Sequence, residues 1–341
     1  MIALYGTMFG PMFHYAEDEC IGRSLELYGH WALDEIALIW RVLRVEDGDF
    51  IDMGANVGTH SVPIAKLFPQ IKVFAFEAQD AAFCLLCAST VVNGLTNLRP
   101  GKYLLAESSR LVHVRLHLPL GITNLGAARF DVLGDDDAKA DSDYAAQVAI
   151  DDVYPGERRT ALIKADLEGM ELTAFRGAER TIARCRPAIY FEGISDEYNS
   201  PLCAFLEQAG YELFWHVNFP FDPENFKGAA LNIFGTNVER NILALHRSSA
   251  LVDSLGSSMM RVATPYGDNV VSSCARLNAR LRAELRRAVT PDFGTSVMTG
   301  TAPPRVVGRQ AGATDGSSAW PSVPGDVKRA VGSFLNLLRG R

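Results

Sequence analysis

In the run Phe50-Ile-Asp-Met-Gly-Ala-Asn-Val-Gly-Thr-His60, an apolar segment meets an acid, a glycine turn and a polar helix start. No other stretch of the 341 residues constrains the fold as strongly. A strand that passes directly into a helix through a glycine turn is the opening unit of a nucleotide-binding α/β fold. Gly54 frees the backbone for the tight turn, and Gly58 lets the helix start pack closely against the strand. Between them, where a dinucleotide-binding turn carries its second glycine, stands Asn56. That glycine normally lets a pyrophosphate approach the backbone. A side chain there disfavours a pyrophosphate and suits an adenosine ligand without phosphates.

The same alternation continues along the chain. Residues 15–46 read as helical from the spacing of Leu33, Ile36, Ile39, Trp40 and Leu43. Strands are expected at 49–53 and 73–76, each followed by a helix, the second running to about Val92. Further strands are expected at 97–106, 111–118 and 147–150, with a loop at 119–143. That loop holds the acidic run Asp135-Asp136-Asp137, which reads as solvated because nothing fixes its geometry. A second strand-to-helix unit covers 162–184, with Gly177 placed to let the helix approach the sheet. Strands at 187–191, 211–217 and 241–245 follow, with a helix at about 201–209. The pattern predicts a Rossmann-like fold: a mostly parallel, doubly wound sheet with an antiparallel edge strand, plus N-terminal helices. It divides into a helical cap (1–47), a catalytic domain (48–248) and a basic, partly disordered tail with short amphipathic helices (249–341).

Charge is distributed unevenly. The last 91 residues carry 12 Lys and Arg against 6 Asp and Glu, whereas the first 250 carry 21 against 34. An acidic body argues against non-specific nucleic-acid binding. The tail, with amphipathic patterns at 274–289 and 327–338 around a Gly/Pro/Ser/Thr-rich stretch (290–325), offers a possible partner or membrane-surface contact. A marginal terminal helix without function is the plainer reading. Six scattered cysteines do not make a disulfide framework and fit a reduced cytoplasmic setting. Cys84 and Cys87 form a C-x-x-C pair inside an apolar helical pattern and read as core residues. No convincing signal peptide and no apolar run of membrane-spanning length is present.

In doubly wound folds ligands bind at the carboxyl ends of the strands. Four acids fall at such ends: Asp52, Glu77, Asp166 and Glu192. One alone could cap the next helix; four on one rim indicate a polar site. Glu77 stands 23 residues after Gly54, where nucleotide folds place the acid that accepts the ribose hydroxyls. With Asn56 in the turn, the ligand expected on Asp52, Gly54, Asn56, Gly58 and Glu77 is an adenosine ligand without phosphates, such as S-adenosylmethionine. Asp166 and Glu168 lie at the end of the fourth core strand, and Glu171 can serve as an anion in the first turn of the following helix.

The ordered set resembles the FkbM family of S-adenosylmethionine-dependent methyltransferases. It comprises Ile51–Gly58 (I-D-x-G-A-N-x-G), Phe76-Glu77, Ile163–Glu171 (I-K-x-D-x-E-G-x-E), Gly177-Ala178-Glu179 and Arg186–Glu192 (R-P-x-I-x-x-E). The resemblance spans about residues 18–247. Ala165 departs from it, because a larger apolar residue is usual before the Asp. The resemblance implies a class I methyltransferase fold and methyl transfer, usually to a hydroxyl oxygen of a sugar, polysaccharide precursor or natural product.

Such transfer needs alignment of methyl group and acceptor, and a destination for the acceptor's proton, since an alcohol's pKa lies near water's ~15.7. Asp166 is the first candidate general base, with Glu168 and Glu192 next and His216 weaker. The same three carboxylates holding Mg²⁺ is an alternative that no ligand spacing demands. Two other readings stand beside this one. A nicotinamide-dependent oxidoreductase would share the fold, but Asn56 and the lack of a Tyr-x-x-x-Lys pair argue against it. A non-catalytic cofactor-binding module is the other, and four retained rim acids argue against that.

Overall fold

The computed structural model describes residues 1–117, 126, 129–134, 143–193 and 196–289, with the backbone alone at 196–199. The acidic run 135–137 and the segments 290–325 and 327–338 lie outside the described residues. The chain opens with a hairpin, β1 (Ile2–Thr7) and β2 (Gly10–Tyr15), then α1 (Ile21–Leu27) and α2 (Leu33–Leu43). The 1–47 cap is therefore not helical throughout. Helical periodicity begins only after the hairpin's tight turn, where Gly10 takes a positive φ.

Next come β3 (Asp49–Met53), α3 (Ser61–Leu67), β4 (Val73–Phe76), α4 (Asp80–Val92) and β5 (Leu98–Gly101). A second sheet follows, made of β6 (Leu104–Leu105), β7 (Arg110–His117), β8 (Arg129–Leu133) and β9 (Asp143–Val148). The main fold resumes with α5 (Ile150–Val153), β10 (Thr160–Ala165), α6 (Glu171–Arg176), α7 (Glu179–Cys185), β11 (Ala188–Glu192) and α8 (Asp196–Gln208). It closes with β12 (Tyr211–Asn218), β13 (Glu239–His246), α9 (Leu251–Ser254) and α10 (Asp268–Ala288).

The main sheet has seven strands in the order β12-β13-β11-β10-β3-β4-β5. β5, β4, β3, β10 and β11 are parallel, and β13 is antiparallel to both its neighbours. The antiparallel strand expected at the edge thus lies one place in from it. Buried strands with both faces covered are apolar at successive positions. Phe50, Leu162 and Leu243 pack into one core with α2, while Ile51, Ile163 and Ile242 pack into another on the opposite face.

Register explains where polarity is tolerated. Asp52, Lys164 and Tyr190 are directly opposite one another on β3, β10 and β11; one step on, Glu192, Asn241 and His216 are opposite on β11, β13 and β12. Opposed residues, and residues two apart, share a sheet face. These six therefore form a polar band on the face covered by α2 and α10.

Further sequence expectations need correction. The loop expected at 119–143 contains β8, and the strand expected at 147–150 begins at Asp143 as β9 and ends at Val148. The strand expected at 97–106 is cut at Gly101: β5 stays in the main sheet and β6 joins the second, pairing with β9. The helix expected to end near Arg184 breaks at Gly177, where an added Cβ would sit 2.0 Å from the carbonyl oxygen of Ala106. Cys84 is exposed and Cys87 half-buried, because α4 turns Leu85, Leu86 and Ser89 inward instead.

Residues 249–289 do not form a detached tail. Leu277, Leu281 and Leu285 of α10 are buried against the α2 side of the core. Each contributes about 2 kcal/mol by burial, enough to hold a helix that would be marginal alone. Its basic face meets the acidic body: Arg282 pairs with Asp34, and Arg286 with Asp222 and Glu224. No described helix is long and apolar enough to cross a membrane.

Candidate active site

The turn after β3 is built by backbone conformation. Gly54 has φ +79°, and a Cβ there would fall 1.8 Å from the Asp166 carbonyl oxygen. No side chain fits between these two backbones, which run side by side beyond the ends of β3 and β10. Asn56 is also left-handed, at φ +49°, a region asparagine tolerates better than most residues. Gly58 has φ +93°, and its Cβ position lies 2.8 Å from Leu86 of α4, so this glycine serves close packing.

Glu77, just past β4, ties that turn down. Its Oε2 accepts the Asn56 amide at 2.8 Å and its Oε1 accepts the Gln79 amide at 2.7 Å. Burial pushes its pKa up to about 7, against the opposing pull of these amides. Asn56 Oδ1 is buried without a hydrogen-bond partner and belongs to a residue lining the cavity above the turn. Asp52 is different. It is fully buried, accepts from Ser61 Oγ at 2.6 Å, lies 3.9 Å from Lys164 Nζ and does not line the cavity. Asp52 and Gly58 shape the turn from behind, rather than facing the cavity as Gly54, Asn56 and Glu77 do.

The cavity continues across the ends of β10, β11 and β13. Asp166, Glu168 and Glu192 line it and come together: each offers an oxygen, and these lie within 4.8 Å of one another. Asp166 Oδ2 is 3.2 Å from Lys164 Nζ. Burial opposes the Lys164 ammonium, but Asp166, Asp52 and Glu35 outweigh it and hold the pKa above its ordinary value. Glu168 sits at φ +52° and is pushed to about 7 by burial and then by Asp166. Its turn is braced by Glu171, which accepts the amides of Leu167 at 2.7 Å and Gly169 at 3.2 Å. Glu192 is pushed to about 8, again by burial first and Asp166 second.

Several lining residues were invisible to sequence reasoning. Glu35 of α2 accepts from Asn241 Nδ2 at 2.9 Å, and its other oxygen lies 3.0 Å from His60 Nε2. Burial drives the pair apart, Glu35 up to about 8 and His60 down to about 3. Glu239, from β13, is likewise pushed to about 8. Two acids, Asp34 and Glu35, ahead of the apolar run of α2 were the available signal. His216 is not in the cavity. It is fully buried between Tyr190 and Asn278, and burial lowers its pKa to about 4. This removes it as a candidate base.

A glycine turn after the first core strand, the strand order β12-β13-β11-β10-β3-β4-β5 (6-7-5-4-1-2-3 when only this sheet's strands are numbered along the chain) and a rim of acids define a class I methyltransferase fold. Residues 52–213, just under half of the chain, match the model of the methyltransferase FkbM domain. No curated protein matches the chain. Among solved structures it is similar to methyltransferase FkbM from Methylobacillus flagellatus KT, at 15% identity and TM-score 0.36, over 58% of this chain and 43% of that one. It is also similar to precorrin-6y C5,15-methyltransferase from Geobacter metallireducens GS-15, at 14% identity and TM-score 0.36, over 62% and 86%. A third is the Pyrococcus abyssi tRNA (uracil-54, C5)-methyltransferase in complex with S-adenosyl-L-homocysteine, at 13% identity and TM-score 0.33, over 63% and 38%. The chain spans less than half the length of the Methylobacillus protein.

Proposed function

We propose that this methyltransferase uses S-adenosylmethionine and methylates a hydroxyl on a small or carbohydrate-like acceptor: a sugar, polysaccharide precursor or natural product. The observation that carries the cofactor is the Asn56–Glu77 contact. It puts a carboxylate suited to ribose hydroxyls beside a turn whose side chain blocks a pyrophosphate. The buried, unpartnered Asn56 Oδ1 supplies a hydrogen-bond acceptor for that ligand, and Gly54 keeps the backbone open to it.

When bound, S-adenosylmethionine would supply an electrophilic sulfonium methyl. The chain's own residues have four tasks. Glu77 and Asn56 hold the adenosine end. The close backbone approach at Gly54 and Asp166 sets the distance between cofactor turn and rim. Asp166 accepts the acceptor hydroxyl's hydrogen bond and receives its proton, with Glu168 and Glu192 the next candidates for that role, a step worth roughly 10²–10⁴-fold in rate. Lys164, paired with Asp166, fixes that carboxylate's position.

The spacing of the three carboxylates also favours a second reading, in which they hold a divalent cation as a Lewis acid. Transfer that persists undiminished in a chelator removes it. Calorimetric titration with S-adenosylhomocysteine tests the main reading: binding is expected, and titration of NADH instead would revive the oxidoreductase. Incubation with methyl-labelled S-adenosylmethionine and fractionated cell extract would then show which pool accepts the label.

A further inference from the structure

The cavity wall is divided along the sequence. Gly54, Asn56 and Glu77, with Asp166, Glu168 and Glu192, fall inside the matched segment 52–213. Trp31, Glu35, Glu239 and Asn241 line the same cavity from outside it. Under the proposed function the turn and Glu77 take the cofactor, which leaves this second group, with the rim carboxylates, to the acceptor.

α10 makes two buried connections to that end. The first runs through Asn278, which is fully buried. Its Nδ2 donates to the Val217 carbonyl oxygen at 2.7 Å, which fixes the amide and leaves Oδ1 2.9 Å from His216 Nε2. An amide oxygen only accepts, so Nε2 carries the hydrogen and Nδ1 is bare. Nδ1 then accepts from the Tyr190 hydroxyl at 2.8 Å, and Tyr190 lines the cavity. One amide on α10 thereby sets the direction of every bond up to the cavity wall.

The second connection is Arg282, one turn further on, paired with Asp34. Asp34 also accepts the Phe219 amide at 3.0 Å. Its neighbour on α2 is Glu35, held in the cavity by Asn241. Water has little access to either connection: Asp34, Tyr190, His216 and Asn278 are each no more than 1% exposed. Loss of one partner would leave a buried donor or charge without its counterpart.

We infer that α10, beyond the family segment, is a positioning element of the acceptor end of the cavity, acting through Asn278–His216–Tyr190 and Arg282–Asp34. The inference rests on the methyltransferase reading of this cavity. Without Asn278 the two His216 tautomers become close in energy, the ring can turn, and Tyr190 loses its acceptor. Displacement of a positioning wall by about 1 Å is enough to cost up to ~10²-fold in transfer.

The test uses the full chain and three readouts: ¹⁵N-histidine NMR, calorimetry with S-adenosylhomocysteine, and transfer of labelled methyl from S-adenosylmethionine into an extract fraction that the wild type labels. Asn278→Leu is expected to abolish the single Nε2–H form of His216 and to lower transfer roughly tenfold or more. Affinity for S-adenosylhomocysteine should stay within about twofold, since the turn and Glu77 are untouched. Tyr190→Phe, which removes only the hydroxyl, should shift transfer in the same direction. Arg287→Gln, on the exposed face of α10, should change neither. Unchanged transfer in folded Asn278→Leu or in Tyr190→Phe overturns the inference. So does a fall in transfer matched by an equal fall in S-adenosylhomocysteine affinity, which would mark general loosening. If Asn278→Leu does not fold, Tyr190→Phe decides alone. A wild type that binds no S-adenosylhomocysteine and labels no fraction overturns the methyltransferase reading itself.

Discussion

The backbone amide of Asn56 donates to Glu77 Oε2 at 2.8 Å, so one contact joins the turn after β3 to the end of β4. The carboxylate therefore shapes the cofactor turn as well as facing the cavity. Glu77→Ala removes the acceptor for two amides and the proposed ribose ligand together. Charge-assisted hydrogen bonds of this kind contribute ~1.5–3 kcal/mol each, so S-adenosylhomocysteine affinity should fall at least tenfold. Calorimetry checks this, and unchanged affinity removes the ribose assignment.

Gly54→Ala tests the close backbone approach. The new Cβ would lie 1.8 Å from the Asp166 carbonyl oxygen at a residue held at φ +79°. Neither strand end can yield without opening the sheet. Urea unfolding should report a loss above about 2 kcal/mol, or no folded protein.

Lys164 is buried between Asp52 and Asp166. Lys164→Met keeps most of the volume but leaves two carboxylates without their cation. Breaking a fully buried pair on one side costs ~3–5 kcal/mol. The loss here should be smaller, because Asp166 is 44% exposed and the buried Asp52 lies 3.9 Å away, but the urea midpoint should still drop. Lys164→Met with Asp52→Asn should recover part of the loss; a midpoint equal to the wild type's in the single variant would show that the pairing contributes nothing.

Asp166→Asn separates positioning from proton transfer. The amide keeps the shape of the rim but cannot take a proton. S-adenosylhomocysteine binding should persist while turnover falls ~10²-fold or more. Full activity would dismiss Asp166 as base and leave Glu168 or Glu192.

Stability should decline on the alkaline side. Burial holds Glu77 near 7 and Glu35 and Glu239 near 8 in the folded state, above the usual value of 4.5. Between those limits the folded protein binds more protons than the unfolded chain, so stability falls as pH rises. The buried His60 and His216, pushed down to about 3 and 4, act oppositely but only below their ordinary 6.5. From pH 6.5 to 8 the carboxyl effect outweighs what remains of the histidine effect, which fades about one unit above 6.5, and the thermal midpoint of the ligand-free protein should drop. Glu239→Gln should flatten that drop; a midpoint flat with pH in the wild type would contradict the proposed burial effect.

Much of this is legible in the sequence. Parallel strands buried on both faces must be apolar at successive positions, and strand-to-helix turns need glycine where φ is positive. Those local demands made the 50–60 turn, the core strands, and Glu77, Asp166 and Glu192 at strand ends readable. The second sheet was less so, because β6 has two residues and pairs with β9 over a long separation. Asp52 was legible as a strand-end acid, but its burial behind the turn was not.

The sequence by itself determined the class of fold, the family resemblance and the rim of acids, because each follows from residues close together in the chain. Tertiary structure alone decided that Glu35, Asn241 and Tyr190 share a cavity with those acids. It also decided that α10 belongs to the body rather than to a tail. Neither has a local signature. An amphipathic basic helix reads the same whether its apolar face meets solvent, a partner or its own core. Only the packing of Leu277, Leu281 and Leu285, with Arg282 against Asp34, makes the choice.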